Sequence, residues 1–185
     1  MSQKQLIMAI GDGGCKIVKS LETDLDKVFI DTDPEVIDKY EGYSDLKLRR
    51  CLSNSKMLSS DVSAAFDPNY PSVMEKKNSA FFGKGMVFNK YTGARGKSGC
   101  NDANAEYMAE LRNIMEKHDV SFQTAELGKV DQGGGGTIAY ILANKGADVI
   151  DCGVPVLSMH APYEVTSKYD VYSAYKTYKA RKERK

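Results

Sequence analysis

The chain contains no tryptophan and only two histidines in 185 residues, so any imidazole chemistry rests on His118 or His160. Its four cysteines, Cys15, Cys51, Cys100 and Cys152, lie far apart and form no CxxC pair. That spacing encodes neither a disulfide framework nor a zinc knuckle, and no apolar leader follows Met1. Four reduced thiols in a cytoplasmic protein are the expectation. No apolar run approaches the ~20 residues needed to span a bilayer, which argues against a membrane role. A dominant charge is lacking as well: 26 Lys and Arg against 25 Asp and Glu leave a formal +1. That balance provides no general field for nucleic acid or an anionic membrane. What remains, 42% hydrophobic and 28% charged residues, is the composition of one globular domain. No repeat or linker divides it, so residues 1–185 are expected to form a single α/β unit.

The pattern along the chain is βαβ-like at the front. Gln5 to Ile10 reads as a strand, Gly11, Gly13 and Gly14 as a tight turn, Cys15 to Glu22 as a helix, and Val28 to Ile30 as a second strand. The second strand ends at the acidic cluster Asp31, Asp33 and Glu35. Asp45 to Leu52 is expected to be helical, and Lys56 to Ala65 to be a strand running into a bend. Asp67 to Pro71 is a break, Gly85 to Tyr91 a strand, and Thr92 to Cys100 a basic, glycine-rich stretch. Asn101 or Asp102 is placed to cap a helix whose Ala105, Met108, Leu111, Ile114 and Met115 repeat at helical spacing. Val120 to Thr124 follows as a strand, then a glycine turn, and a helix over Ile138 to Asn144 closed by Gly146. Asp148 to Cys152 and Val154 to Ser158 read as buried strand pieces. Ser167 caps a last helix expected to turn Val171, Ala174, Tyr175 and Tyr178 inward. In such an order of elements, chemistry gathers where loops leave the carboxyl ends of strands.

His118 follows a helix, where an imidazole is favoured by the dipole and the free carbonyls, and so reads as structural. His160 comes directly after the apolar run Val154 to Met159, with Pro162 behind it, a position suited to a metal ligand. Asp61, in Ser59-Ser60-Asp61-Val62, is its natural carboxylate counterpart, or else the cap of a turn over Ser63 to Phe66. Two ligands are too few for zinc, which takes three or four from protein. The run Gly133 to Gly136 before Thr137 exposes backbone N–H groups that suit a phosphate, a carboxylate or an oxyanion, or simply permits close packing. The front turn Gly11 to Cys15 has a nucleotide-site character, although its spacing misses GxGxxG. The tyrosines from Tyr163 to Tyr178 read as helix packing and surface.

From about Tyr43 to Lys182 the chain resembles the carboxyl-terminal half of the aspartyl aminopeptidase and vacuolar aminopeptidase I family, in its bacterial form. The resemblance rests on YSDLKLRR, SSDVSAAFDPNYPSVMEKKN, GKGMVFNKYTGARGKSG, NDANAEYMAEL, ELGKVDQGGGGTIAYILANKG and DVIDCGVPVLSMHAPYEVTSKYDVY. It implies a three-layer α/β/α domain with a mixed sheet, a co-catalytic zinc pair, a peptide substrate trimmed at its amino end, and large oligomers. Asp61 resembles the family's metal-binding Asp, His160 its histidine ligand, and Lys90, Gly136 and Thr137 its substrate-pocket positions.

The front departs from the family. The first His ligand, the bridging Asp and the Glu-Glu pair have no counterpart as such, and Asp67 stands where a family histidine would. Asp12 and Asp33 can be threaded onto the bridging Asp and the base, but Pro34 then replaces a ligand. Residues 1–41 also faintly resemble the opening of a tubulin-like cell-division GTPase, and are treated as a possible graft.

The expectation is therefore a zinc metalloaminopeptidase-like protein, incomplete and weak or inactive alone. It would act as a homo-oligomer or with another peptidase chain, without nucleic acid or membrane. One alternative is a non-catalytic subunit or remnant assembling with a full-length aminopeptidase. Another is a nucleotide-binding module using the Gly11 to Gly14 turn.

Overall fold

In the computed structural model, the described residues are 6–10, 26–30, 44–93, 99–129 and 134–182. The chain divides into two compact units, residues 1–55 and residues 56–184. In the first, β1 (Leu6–Ile10) and β2 (Asp26–Ile30) pair in parallel from Leu6↔Asp26 to Ile10↔Ile30. Parallel pairing is what the βαβ reading expects of these two strands. The glycine turn, its helix and the acidic cluster at Asp31 to Glu35 lie outside the described residues. Helix α1 (Asp45–Ser53) completes the unit, with the Ser44 hydroxyl capping it by accepting from Lys47 N at 3.3 Å.

The second unit is built on a mixed sheet. Strand β3 (Lys56–Ala64) pairs in parallel with β7 (Asp148–Leu157) over an unbroken register from Lys56↔Asp148 to Ala64↔Val156. Strand β7 runs antiparallel to β4 (Met86–Thr92) through Phe88↔Cys152, and β4 runs parallel to β6 (Phe122–Glu126), with a shift in register at Lys90. The two-residue strands β5 (Asn101–Asp102) and β8 (Val165–Thr166) close against the ends of β4 and β7.

Alternation along these strands separates two faces. Met86, Phe88, Ile150 and Cys152 point to one, where Tyr107, Leu111 and Met115 of α2 (Ala105–Lys117) and Ala174 and Ala180 of α4 (Lys168–Lys182) complete the main core. Val149 points to the other and packs with Ala147 and with Ala139 and Leu142 of the short α3 (Ala139–Ala143). This is the expected α/β architecture, with helices on both faces of a mixed sheet.

Several local expectations are corrected. Asn104, not Asn101 or Asp102, caps α2, its side chain accepting from Tyr107 N at 2.7 Å, because Asn101 and Asp102 are already used as strand β5. Ala105 is exposed, and Tyr107 occupies the core in its place. Strand β6 begins at Phe122, since Val120 is spent on closing α2, its N–H reaching Met115 O at 2.9 Å. Strand β7 is one strand, not two, because Gly153 keeps its register with both neighbours. Helix α4 turns Asp170, Ser173, Ala174, Thr177 and Ala180 inward, leaving Val171, Tyr175 and Tyr178 exposed. No helix among the described residues is long and apolar enough to cross a membrane.

Candidate functional site

His160 lies beyond the end of β7 in the loop that returns to β8. The pairs Val156↔Thr166 and Leu157↔Val165 hold the base of that hairpin. Within the loop, Ala161 N donates to Ser158 O at 2.9 Å, and His160 N donates to the Glu164 carboxylate at 2.5 Å. Ser158 and His160 both take left-handed backbone conformations, with φ of +57° and +67°. Such positions are held at a cost, on the order of 1–3 kcal/mol each for a side chain other than glycine. The imidazole is therefore carried on a constrained turn, and His160 is exposed.

Asp61 lies within β3, opposite Gly153 of β7. Ala65 N donates to Val156 O, so the odd-numbered residues of β3 bond to β7 and the even-numbered amides face away. The Asp61 carbonyl accordingly points at β7, where a Cβ on Gly153 would sit 1.8 Å from it. Glycine is what lets the two strands meet there. On the other edge, Asp61 Oδ1 accepts from the Val62 N–H at 2.8 Å. Asp61 thus caps an amide of its own strand, and the expected cap of a turn over Ser63 to Phe66 is not formed.

Both residues are exposed, Asp61 on β3 and His160 in the loop that follows β7, the parallel neighbour of β3. They are not joined by a hydrogen bond or ion pair: Asp61 is held by Val62 N and the His160 backbone by Glu164. Because Asp61 is level with Gly153, the four steps from Gly153 to Leu157 carry β7 ~13 Å further along the strand direction. No group of three or more His, Cys, Asp and Glu converges to hold a metal among the described residues.

The other candidates have structural occupations. His118 is the C-cap of α2, its N–H reaching Ile114 O at 3.1 Å, as the helix-end reading expects. Asp67 Oδ1 accepts from Asn69 N at 2.8 Å, a local turn bond. Burial pushes the Cys152 thiol up to about 12, which leaves it protonated and unfit as a nucleophile or ligand at neutral pH.

The substrate-side candidates fall around a second feature. Lys90, at the register shift of β4, forms an ion pair with Asp102. In the glycine run, Gly133 lies outside the described residues. Gly134 has φ +91° and its Cβ would stand 2.4 Å from Gly93 O, so this glycine serves close packing. At Gly136 nothing lies within 4 Å of a Cβ, and the backbone is open.

Thr137 Oγ1 accepts from Ala139 N at 3.3 Å and lies 3.5 Å from Thr92 Oγ1, which donates to Asp151 Oδ2 at 2.8 Å. Asn101 Nδ2 also reaches Asp151 Oδ2, at 3.4 Å, and donates to Val149 O at 3.0 Å. Asp151 is buried, and its hydroxyl and amide donors spare it the cost of an unsolvated carboxylate. The sequence reading missed this network and Glu164. Its one signal is Asp151 itself, a carboxylate in an otherwise apolar run.

Residues 29–181 match the family described as aminopeptidase I zinc metalloproteases (M18). The chain belongs to the M18 family. A probable M18 family aminopeptidase 1 of Clostridium acetobutylicum is 68% identical over 146 residues, which is 79% of this chain and 31% of that protein. The crystal structure of aminopeptidase I from Clostridium acetobutylicum superposes with a TM-score of 0.67 at 72% identity, covering 72% of this chain and 29% of that one. An M18 aminopeptidase structure from Thermotoga maritima gives a TM-score of 0.70 at 38% identity, covering 83% and 39%. The chain spans about a third of the length of the curated relatives it matches.

The M18 match begins at Phe29, ahead of the Tyr43 from which the resemblance is traced. The front glycine turn and Asp12 precede the match; these residues and Asp33 lie outside the described residues. Zinc belongs to the M18 family by its description. Among the described residues of this chain, however, the donors do not make up a zinc site.

Proposed function

We propose that the chain is the carboxyl-terminal part of an M18 aminopeptidase catalytic domain, able to remove amino-terminal residues from peptides only when combined with other protein. In this reading Asp61 and His160 are two zinc ligands, and the remaining ligands and the general base lie on another segment or chain. Lys90, held by Asp102, and the open backbone at Gly136 with Thr137 stand on the substrate side. The chain works as an oligomer or with another peptidase chain.

One observation carries the reading. Asp61 and His160 are both exposed on adjacent parallel strands or the loop that follows, and no third donor joins them among the described residues. A zinc site with water in its open position takes three protein ligands, so no hydrolytic step is assigned to this chain alone.

The test is hydrolysis of a chromogenic amino-acid amide. The purified chain alone is expected to release no product above background. Co-expression with the part of the Clostridium acetobutylicum enzyme outside the matched 146 residues is expected to restore release, and Asp61→Ala or His160→Ala to lower it at least ~1,000-fold. Restored activity that survives both substitutions contradicts the reading.

A further inference from the structure

The face of the main sheet that carries Asp61 also buries a carboxylate. Residues paired on neighbouring strands share a face, as do residues two apart on one strand. The pairs Asp61↔Gly153 and Asn89↔Asp151 therefore put Asp61, Asn89 and Asp151 on one side of the sheet, together with Val149 and α3. The glycine turn is held from the end of β4 at two places. Gly134 packs so closely on Gly93 that a Cβ would stand 2.4 Å from its carbonyl oxygen, and Thr137 Oγ1 lies 3.5 Å from Thr92 Oγ1. Gly135 and Gly136, between these two holds, have no side chain to fix their backbone.

The hydrogens of the network run in one direction. A hydroxyl has a single hydrogen to donate, and a carboxylate oxygen accepts. Thr92 commits its hydrogen to Asp151 Oδ2 at 2.8 Å, where Asn101 Nδ2 also points at 3.4 Å. Toward Thr137, then, Thr92 Oγ1 acts as an acceptor, and Thr137 turns its own hydrogen inward. The oxygen of Thr137 at the same time accepts from Ala139 N at 3.3 Å. Thr137 has no hydroxyl hydrogen left for a substrate, and its side chain anchors the turn.

We propose that Asp151 is a positioning residue, which through Thr92 and Thr137 sets the open turn at Gly136. The buried carboxylate is the fixed acceptor at the end of the chain of hydroxyls, so it decides which way each of them points. The inference rests on the proposed function, which stands this turn on the substrate side.

Nuclear magnetic resonance on the full chain tests the hold on the turn. In the unsubstituted chain the Thr92 and Thr137 hydroxyl hydrogens should both exchange slowly enough to be observed, with that of Thr137 close to Thr92. Thr92→Val should shift the amide signals of Gly136 and Thr137 and speed exchange of the Ala139 amide at least ~10-fold, while Leu111 and Met115 of α2 keep their protection. Thr92→Ser, which keeps the hydroxyl, should restore the parent behaviour. A Thr137 hydroxyl in free exchange with solvent overturns the proposal, and the unsubstituted chain decides this even if the valine variant does not fold. A valine variant with an unchanged turn, or one in which α2 loses protection equally, overturns it too.

The role is read in the complex with the co-expressed Clostridium acetobutylicum segment outside the matched 146 residues. There Thr92→Val should raise KM for the chromogenic amide at least ~10-fold and leave kcat within about twofold, with Thr92→Ser like the parent. An unchanged KM, or a loss confined to kcat, contradicts positioning on the substrate side. If the unsubstituted complex hydrolyses nothing, the functional reading falls, and the spectra of the chain decide the hold on the turn by themselves.

Discussion

Asp170 shows how much one side chain does that its neighbours in sequence do not reveal. It is fully buried in the first turn of α4, and each of its carboxylate oxygens takes one backbone amide, Gly83 N at 2.8 Å and Gly85 N at 2.7 Å. Hydrogen bonds to an ionised acceptor contribute ~1.5–3 kcal/mol each, and stranding a buried donor costs a similar amount. Asp170→Ala is therefore expected to destabilise the fold by about 3 kcal/mol in urea unfolding. Asp170→Asn, with one acceptor oxygen where there were two, should recover at most half of that. A loss within ~0.5 kcal/mol for the alanine variant would mean the carboxylate does not hold the loop.

Residue-scale reading of the sequence singles out His160 and Asp61 as candidates and gives His118 its helix-end role. It could not find Asp170, because both of the aspartate's partners are backbone groups more than eighty positions away. Gly153 was invisible for the same reason, since its need for a missing Cβ arises only against the Asp61 carbonyl across the sheet.

At the scale of elements, local chemistry was legible where it acts alone. Helix α1, strands β3 and β4, the Ser167 cap and the α3 turn ending at Gly146 follow from periodicity, capping residues and glycine. Reading failed where two signals compete. Asn101, Asp102 and Asn104 are all good caps, and sheet pairing decided among them.

In α4, hydrophobicity pointed Val171, Tyr175 and Tyr178 inward, yet the small residues Ser173, Ala174, Thr177 and Ala180 face the sheet. Their size lets the helix lie close, and Ser173 and Thr177 satisfy their hydroxyls on Tyr169 O and Ser173 O within the helix. This orientation predicts a contrast measurable by urea midpoints. Tyr175→Ser, at a residue 60% exposed, should change stability by less than ~0.5 kcal/mol, whereas Ala174→Leu should cost about 1–3 kcal/mol by overpacking. The reverse order would require the helix to be rotated.

For the whole molecule, the family and the three-layer arrangement were readable because six segments in fixed order carry them. Of the proposed metal centre, only two candidate side chains are legible. Convergence of ligands is a property of the assembled fold, and the described residues bring no third donor to Asp61 or His160. In the proposed function these two residues are one half of a zinc site completed from outside the chain.

Zinc titration of three purified proteins, the chain, Asp61→Ala and His160→Ala, tests this most directly. The chain alone should hold well under one tightly bound zinc, because structural and catalytic zinc sites need three or more protein ligands. Any weak uptake should disappear in both variants. Measurable zinc bound equally by all three proteins, or a tight stoichiometric ion in the chain alone, would show that Asp61 and His160 are not half of a shared site.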